Sequence, residues 1–193
     1  MSQQDVETFY PVSSADWRKW LKKNHESKQS VWVIQYKKKA NIPTISWSES
    51  VDEALCFGWV DSIRKSIDDE NFMQFFCKRK AKSTWSKINK EKIKVLIAQK
   101  LMAEAGYKSI EIAKQNGSWT ILDEVEELKI PLDLELAFKT KAGSADYFAL
   151  LSKSVKKAIL QWLMFAKRVE TREKRINEIA ELAAQGLKPK QFR

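Results

Sequence analysis

The chain has few of the residues on which common catalytic motifs depend. Its 193 residues include five glycines, which do not cluster, and a single histidine. A phosphate-binding loop, a dinucleotide fingerprint and a nucleophile elbow all need closely spaced glycines, and none of these motifs is found. One histidine and two scattered cysteines cannot complete a zinc shell. We therefore expect no metal site and no cofactor.

Long apolar runs are also lacking. No stretch approaches the roughly 18 apolar residues of a membrane span. The N-terminal sequence MSQQDVETFYPVSS has no basic segment followed by an apolar one, as a secretory signal would. We expect a cytoplasmic protein with no membrane span, in which Cys56 and Cys77 are buried thiols.

Positive charge is abundant instead. The formal net charge is +10, and it is concentrated in two segments. Residues 78–94 hold eight cations and one anion, and residues 153–193 hold eleven cations and four anions. Such segments speed encounters with phosphates and acidic surfaces. The candidate anion-binding residues in these segments are Arg79, Lys80, Lys82, Arg172 and Arg175.

Residue patterns predict a small antiparallel sheet in the first part of the chain. Apolar and β-favouring residues indicate strands at 30–36, 59–67 and 72–78. The last two are separated by Asp-Asp-Glu-Asn, a turn sequence, and therefore predict a hairpin with both faces substantially buried. A helix that ends near His25 is predicted to place Trp17 and Trp20 on one face. A second helix, which Ser48-Glu49-Ser50 can cap, is predicted to end at Gly58, a glycine that can close a helix. About three strands covered by helices define an α+β fold.

From Ser86 onward the pattern is mostly helical. Pro131 and the change to an all-helical pattern place a boundary near residue 130. We therefore predict an α+β N-terminal domain at 1–129 and an all-helical C-terminal unit at 130–193, which we expect to pack on the first.

The residues between 59 and 89 offer a candidate pocket for a small anionic ligand. On a regular strand, Asp61 and Lys65 share one face, whereas Arg64 lies on the other. A hydroxyl residue after the basic run is a natural N-cap, and the free amides of a helix start favour anions. The structural alternative is that Asp61 pairs with a nearby cation and that the basic loop is simply solvated. The candidate ligand-binding residues are Trp59, Asp61, Lys65, Trp85, Ser86 and Asn89.

Nucleic acid is another candidate partner for the basic segments. Trp85 and Phe192 would be available to stack on bases, and the last two helices could present Arg172 and Arg175 as a helix-turn-helix pair. The turn signature of that motif is missing, however, and the same cations would solubilise an ordinary helical hairpin. We therefore expect at most weak, nonspecific binding to nucleic acid or phosphate.

Five blocks of the sequence carry a family resemblance. In chain order they are ALCFGWVDSIRKSID, KRKAKSTWSKINKEK, AGYKSIEIAKQNGSW, IPLDLELAF and AKRVETREKRI. From Trp17 to about Leu187, the chain resembles the bacterial YdeI or OmpD-associated (OmdA-like) family, whose members are often labelled bacteriocin-protection proteins. The resemblance implies a link to tolerance of antimicrobial peptides or other envelope stress, without an established chemistry. It does not imply an enzyme.

The predicted function is therefore that of a non-enzymatic binding or stress-protection protein, whose partner is a protein or a small anionic ligand. A net charge of +10 repels cationic peptides at long range, so direct sequestration would need an acidic patch such as residues 123–127. One alternative is nonspecific binding of nucleic acid or phosphate. The second is an enzyme of unrecognised class with a pocket around Asp61 and Trp85.

Overall fold

The computed structural model describes residues 6–193 and contains two compact units. The first ends at Thr120, and the second is Ile121–Arg193. The strands and helices of the first unit, in chain order, are β1 (Thr8–Phe9), α1 (Ser14–Asn24), β2 (Ser30–Tyr36), α2 (Trp47–Cys56), β3 (Trp59–Ser66), β4 (Asn71–Lys78), α3 (Lys87–Ala98) and α4 (Glu104–Gln115).

The sheet of the first unit has four strands in the order β1-β2-β4-β3. Strands β3 and β4 form the predicted antiparallel hairpin, and β4 also pairs with β2 in antiparallel orientation. The two-residue strand β1 pairs with β2 in parallel, so the sheet is mixed and has one strand more than expected. The predicted α+β fold class is confirmed.

A bulge in β3 changes which side chains share a face. Asp61 pairs with Phe76 but Arg64 pairs with Gln74, so three steps on β3 oppose two on β4. Asp61 and Arg64 therefore lie on one face, and Lys65 lies on the other. The prediction that Asp61 and Lys65 share a face is wrong because it assumed a regular strand.

Strand β3 is also more exposed than predicted. It lies at the edge of the sheet, and its residues from Ser62 to Ser66 are exposed. The prediction that both hairpin faces are substantially buried is therefore wrong for β3. The charged side chains instead cover aromatic rings: the Arg64 guanidinium carbon lies 3.7 Å from the Phe72 ring centre, and Lys65 Nζ lies 4.9 Å from the Trp32 ring centre.

Tryptophans form the centre of the first unit's core. Trp17 and Trp59 have no exposed surface, and Trp20 lies between them with ring-centre distances of 5.1 and 5.7 Å. The Phe76 ring from the sheet lies 5.4 Å from Trp17. The spacing of Trp17 and Trp20 along α1 directs both rings onto the sheet, as the helical pattern predicted.

Helix α2 brings the chain to the turn that later borders the candidate site. Its N-cap is Ser46, two residues before the Ser48–Ser50 segment that the sequence suggests, and Glu49 completes a capping box. The helix closes as predicted at Gly58, whose φ is +70°. Strand β3 starts at the next residue.

The second unit is entirely helical, as predicted. Its helices are α5 (Asp123–Glu126), α6 (Leu132–Lys139), α7 (Ser144–Leu150), α8 (Lys153–Met164) and α9 (Val169–Ala184). Leu134, Ile159 and Leu163 have no exposed surface and lie in a core of its own. In the described part of the chain, none of the helices combines the length and the apolar character that crossing a bilayer requires.

Candidate anion-binding site

A cavity of about 370 Å³ lies in the first unit where four segments meet. These are the end of α1, the turn between α2 and β3, the end of β4 and one face of α4. The volume is at the lower end of the range of about 300–1,000 Å³ that is typical of small-molecule sites. The lining residues are His25, Glu26, Phe57, Gly58, Trp59, Lys78, Arg79, Lys80, Ala81, Ala105, Lys108, Ser109 and Ile112.

Two glycines allow α4 to approach this turn closely. A Cβ added at Gly58 would lie 2.9 Å from the Ala105 carbonyl oxygen, and one at Gly106 would lie 2.3 Å from the Cys56 carbonyl oxygen. The Ala103 amide also donates a hydrogen bond of 3.0 Å to Cys56 O. Backbone contact at this distance fixes the wall of the cavity formed by α4.

The cavity is strongly basic. Four cations and one carboxylate line it. Lys78 Nζ donates a 2.6 Å hydrogen bond to the Glu26 carbonyl oxygen, which fixes that ammonium group at the rim. Lys80 and Lys108 are exposed, so their ammonium groups can turn toward an incoming anion.

Arg79 is the most unusual of these cations. Its guanidinium carbon lies 3.7 Å from the Trp85 ring centre, and Nη1 donates a 2.8 Å hydrogen bond to the Thr84 carbonyl oxygen. The other two nitrogens, Nε and Nη2, are buried and have no hydrogen-bond partner among the described residues. Burial lowers the pKa of Arg79 to about 10, although nearby Asp61 opposes this shift. The side chain still carries its charge at neutral pH.

Trp85 lies beneath this guanidinium group. Only 1% of its surface is exposed, and its ring centre lies 5.0 Å from that of Trp119. Its Nε1 has no hydrogen-bond partner in the part of the chain that the structure describes. The prediction that Trp85 is available to stack on bases is wrong, because Arg79 and Trp119 occupy its surroundings. Phe192 likewise packs edge-on against Trp162, with 5.9 Å between ring centres.

The structure separates the residues of the predicted ligand pocket. Trp59 lines the cavity and donates a 3.4 Å hydrogen bond from Nε1 to the His25 carbonyl oxygen. Asp61 does not line it and instead accepts a 3.0 Å hydrogen bond from Trp47 Nε1. Lys65 lies on the opposite face of the sheet.

Ser86 and Asn89 start helix α3 and do not line this cavity. Ser86 Oγ accepts a 3.2 Å hydrogen bond from the Asn89 amide, so the predicted N-cap is confirmed. The Ser86 hydroxyl is therefore used to cap helix α3.

The five predicted anion-binding residues are also dispersed. Arg79 and Lys80 line the cavity, whereas Lys82 is exposed and lies outside it. In the second unit, Arg172 binds Asp133 through hydrogen bonds of 2.5 and 2.9 Å. Arg175 donates to the Trp162 carbonyl oxygen, and its guanidinium carbon lies 4.6 Å from that ring's centre. Both arginines thus make packing contacts.

Sequence reasoning missed the wall that α4 contributes. Ala105, Lys108, Ser109 and Ile112 follow one another at helical spacing, so they share a face. That spacing is visible in the sequence, but the glycine contacts that bring α4 to Gly58 are not. No group of three or more histidine, cysteine, aspartate or glutamate side chains within residues 6–193 could hold a metal ion.

Together, the fold and the cavity define an α+β protein whose first unit carries a basic cavity. Residues 9–109 match the model of a family described as a domain of unknown function, DUF8412. This match spans more than half of the 193 residues, and the chain belongs to that family.

Residues 127–186 match a second family model, described as bacteriocin-protection, YdeI or OmpD-associated (OmdA). This match confirms the resemblance for the C-terminal part of the chain. The two matched regions fall in different units. The first two blocks of the resemblance, 54–68 and 78–92, lie within the DUF8412 match, and the third, 105–119, extends beyond its end. Comparisons with curated proteins and with solved structures found no match.

Proposed function

We propose that this chain is a non-enzymatic binding protein that contributes to tolerance of bacteriocins or antimicrobial peptides, and that its first unit binds a small anionic ligand. The observation that carries the binding role is the basic cavity, whose lining includes four cationic side chains and one carboxylate. One of these cations, Arg79, has two buried nitrogens with no hydrogen-bond partner among the described residues. The protection role is supported by the OmdA match of residues 127–186.

Direct sequestration of cationic peptides is the weaker form of this role. The acidic run that could attract such peptides, residues 123–127, spans helix α5, but lysines already neutralise part of it. Glu124 accepts a 2.5 Å contact from Lys129, and Glu126 pairs with Lys157. With a net charge of +10 on the whole chain, an anionic ligand is the better electrostatic match.

The nucleic-acid alternative loses much of its support. Arg172 and Arg175 make contacts within the second unit, and Trp85 is too buried to stack on a base. Exposed cations such as Lys80 and Lys82 still favour it. A titration of tryptophan fluorescence with duplex DNA, single-stranded RNA and polyphosphate tests what remains, because phosphate binding weakens steeply with salt.

The enzyme alternative assumed one pocket around Asp61 and Trp85. Asp61 is bonded to Trp47, and Trp85 is stacked under Arg79; neither residue lines the cavity. A catalytic carboxylate must reach the reacting atoms, and this geometry offers Asp61 no cavity shared with Trp85.

The protection role is tested by growth of bacteria in the presence of a bacteriocin or a cationic antimicrobial peptide. A strain that lacks the gene should be more sensitive than its parent, and the wild-type chain should restore tolerance. The double variant Lys80→Glu/Lys108→Glu, which reverses two charges at the cavity, should restore it poorly. Lys82→Glu, outside the cavity, is the control for a charge reversal in the same loop. Equal tolerance with and without the chain would refute the protection role.

A further inference from the structure

We propose that Arg79 is the anchor of this site and that its Nε and Nη2 atoms bind two oxygens of a carboxylate or phosphate group carried on an apolar body. This inference rests on the proposed function, because it names the ligand class and the anchoring residue of the same cavity.

The hydrogen bonds of Arg79 leave one edge of its guanidinium group unused. Nη1 is bonded to the Thr84 carbonyl oxygen at 2.8 Å and lies 3.5 Å from Ser83 Oγ, whereas Nε and Nη2 have no hydrogen-bond partner within residues 6–193. These two nitrogens form the planar fork that matches the two oxygens of a carboxylate or phosphate. A lysine could offer only a point charge there.

An unsatisfied buried donor needs a physical explanation. Each donor without a partner in a buried place costs free energy that folding must offset, and Arg79 has two of them on a charged group. Within the described residues 6–120, no carboxylate makes an ion pair with Arg79: Asp61 acts on it only at longer range and is itself bonded to Trp47. An oxyanion from outside would satisfy both donors and the charge.

The stack on Trp85 prepares the fork for this role. With the guanidinium carbon 3.7 Å from the ring centre, the plane of the group is held in position, and less entropy is lost on binding. Both free nitrogens are closed to solvent in this structure, so the side chain must shift slightly when an anion binds. Such a shift would change the surroundings of the Trp85 ring, and hence its fluorescence.

The remaining lining selects the rest of the ligand. Ala81, Ala105 and Ile112 contribute accessible apolar surface, whereas the lining residues Phe57 and Trp59 are buried, and the cavity has a volume of about 370 Å³. That space exceeds the need of a bare phosphate. A ring or a short acyl chain attached to the anion would fill it, and burial of its apolar surface would add affinity. The exposed Lys80 and Lys108 would guide the charged end inward.

The competing explanation is that Arg79 only braces the loop through Thr84. A titration of the full chain at low salt separates the two, with phenyl phosphate, benzoate and inorganic phosphate as probes and calorimetry and tryptophan emission as readouts. We expect phenyl phosphate or benzoate to bind, and to bind more tightly than inorganic phosphate. Which of the two binds better identifies the charged group.

Three variants test the anchor. Arg79→Lys keeps the charge but loses the fork, so affinity for the better probe should fall by about tenfold or more. Arg79→Gln should abolish binding. Lys82→Gln removes one charge from the same loop outside the cavity, so affinity should change by less than about twofold. Circular dichroism verifies that each variant is folded, and Arg79→Lys serves where Arg79→Gln does not fold.

Two results would overturn the inference. One is wild-type affinity in Arg79→Lys and Arg79→Gln, which would make Arg79 a brace. The other is that no probe binds the wild-type chain. Failure here and failure of the proposed function are distinguishable: a chain that restores bacteriocin tolerance without binding the probes loses the anion site and keeps the protection role. A chain that binds the probes through Arg79 without affecting tolerance keeps the anion site and loses the protection role.

Discussion

At the scale of single residues, the close approach of α4 depends on Gly106. A Cβ at this position would lie 2.3 Å from Cys56 O and 2.8 Å from Cys56 C, both of them backbone atoms that cannot turn away. We expect Gly106→Ala to destabilise the chain by about 2–3 kcal/mol through overpacking, as measured by urea unfolding. It should also widen or distort the cavity, since α4 forms one of its walls.

Gly117→Ala is the matched control for Gly106. Its Cβ would meet nothing within 4 Å, but its φ is +79°. The cost should be about 1 kcal/mol and purely conformational. If Gly106→Ala proves no more destabilising than Gly117→Ala, the close contact between α4 and Cys56 is not as tight as the structure shows.

The two cysteines should differ in reactivity. Cys56 is fully buried, and burial raises the pKa of its thiol to about 11. Burial also raises the pKa of Cys77, but this side chain is only half-buried and lies near Lys80 and Arg79, which oppose the shift. Only the thiolate reacts, so iodoacetamide at mildly alkaline pH should label Cys77 at least about tenfold faster than Cys56. Mass spectrometry of peptides measures both rates, and equal rates would contradict the burial of Cys56.

At the scale of elements, the sequence was most informative where a pattern is local. Alternation in Ser30–Tyr36 predicted β2 correctly, and a turn sequence between two aromatic strands predicted the hairpin. Strand β1 was missed because two residues carry no period, and parallel pairing with β2 is a tertiary contact. The bulge was missed for a related reason: it appears only as a register shift against β4.

The candidate site was predicted only in part for the same physical reason. Local charge and aromatic content singled out Arg79, Lys80 and Trp59, which do line the cavity. Regular alternation could not reveal that Lys65 changes face after the bulge. Likewise, no local pattern tells that Trp85 lies under Arg79 or that Gly106 lets α4 come close. Contacts between distant segments decide these points.

Helix α2 offers a test of capping, since the sequence and the structure name different residues. Ser46 Oγ accepts a 3.2 Å hydrogen bond from the Glu49 amide, and Glu49 Oε2 accepts one of 2.9 Å from the Ser46 amide. Ser46→Ala should cost about 1 kcal/mol in thermal or urea unfolding. Ser48→Ala, within the segment that the sequence suggested, should change stability by less than about 0.5 kcal/mol, since Ser46 makes the cap and Ser48 Oγ accepts a 2.8 Å hydrogen bond from Lys92 Nζ at an exposed position. A larger loss of stability in Ser48→Ala than in Ser46→Ala would indicate that Ser48 caps the helix.

The same cap predicts a dependence on pH. The side-chain and backbone hydrogen bonds to Ser46 lower the pKa of Glu49 in the folded chain. Its contribution is therefore present above the unfolded pKa, which is about 4.3, and is lost as pH falls through the folded value. The stability difference between the wild-type chain and Glu49→Gln should shrink as the solution is acidified below that point. A difference that does not depend on pH would show that the carboxylate does not cap the helix.

At the scale of the whole molecule, charge distinguishes two ways in which the chain could protect a cell. A chain with a net charge of +10 repels a cationic peptide at long range but attracts an anionic ligand. Salt weakens both forces, so it should slow association with the anion and speed association with the cationic peptide. If the anion is the natural ligand, stopped-flow association with an anionic probe that fills the cavity should slow by about tenfold or more from low to high salt. Association with a cationic antimicrobial peptide, if it is detectable, should instead become faster with salt.

Reversing Lys80 and Lys108 to glutamate should reduce the salt dependence for the anion, whereas Lys82→Glu, which changes the net charge but not the cavity lining, should reduce it less. A peptide that associates rapidly at low salt and is released by salt would contradict this scheme, because it would require an acidic surface strong enough to overcome the field of the whole chain.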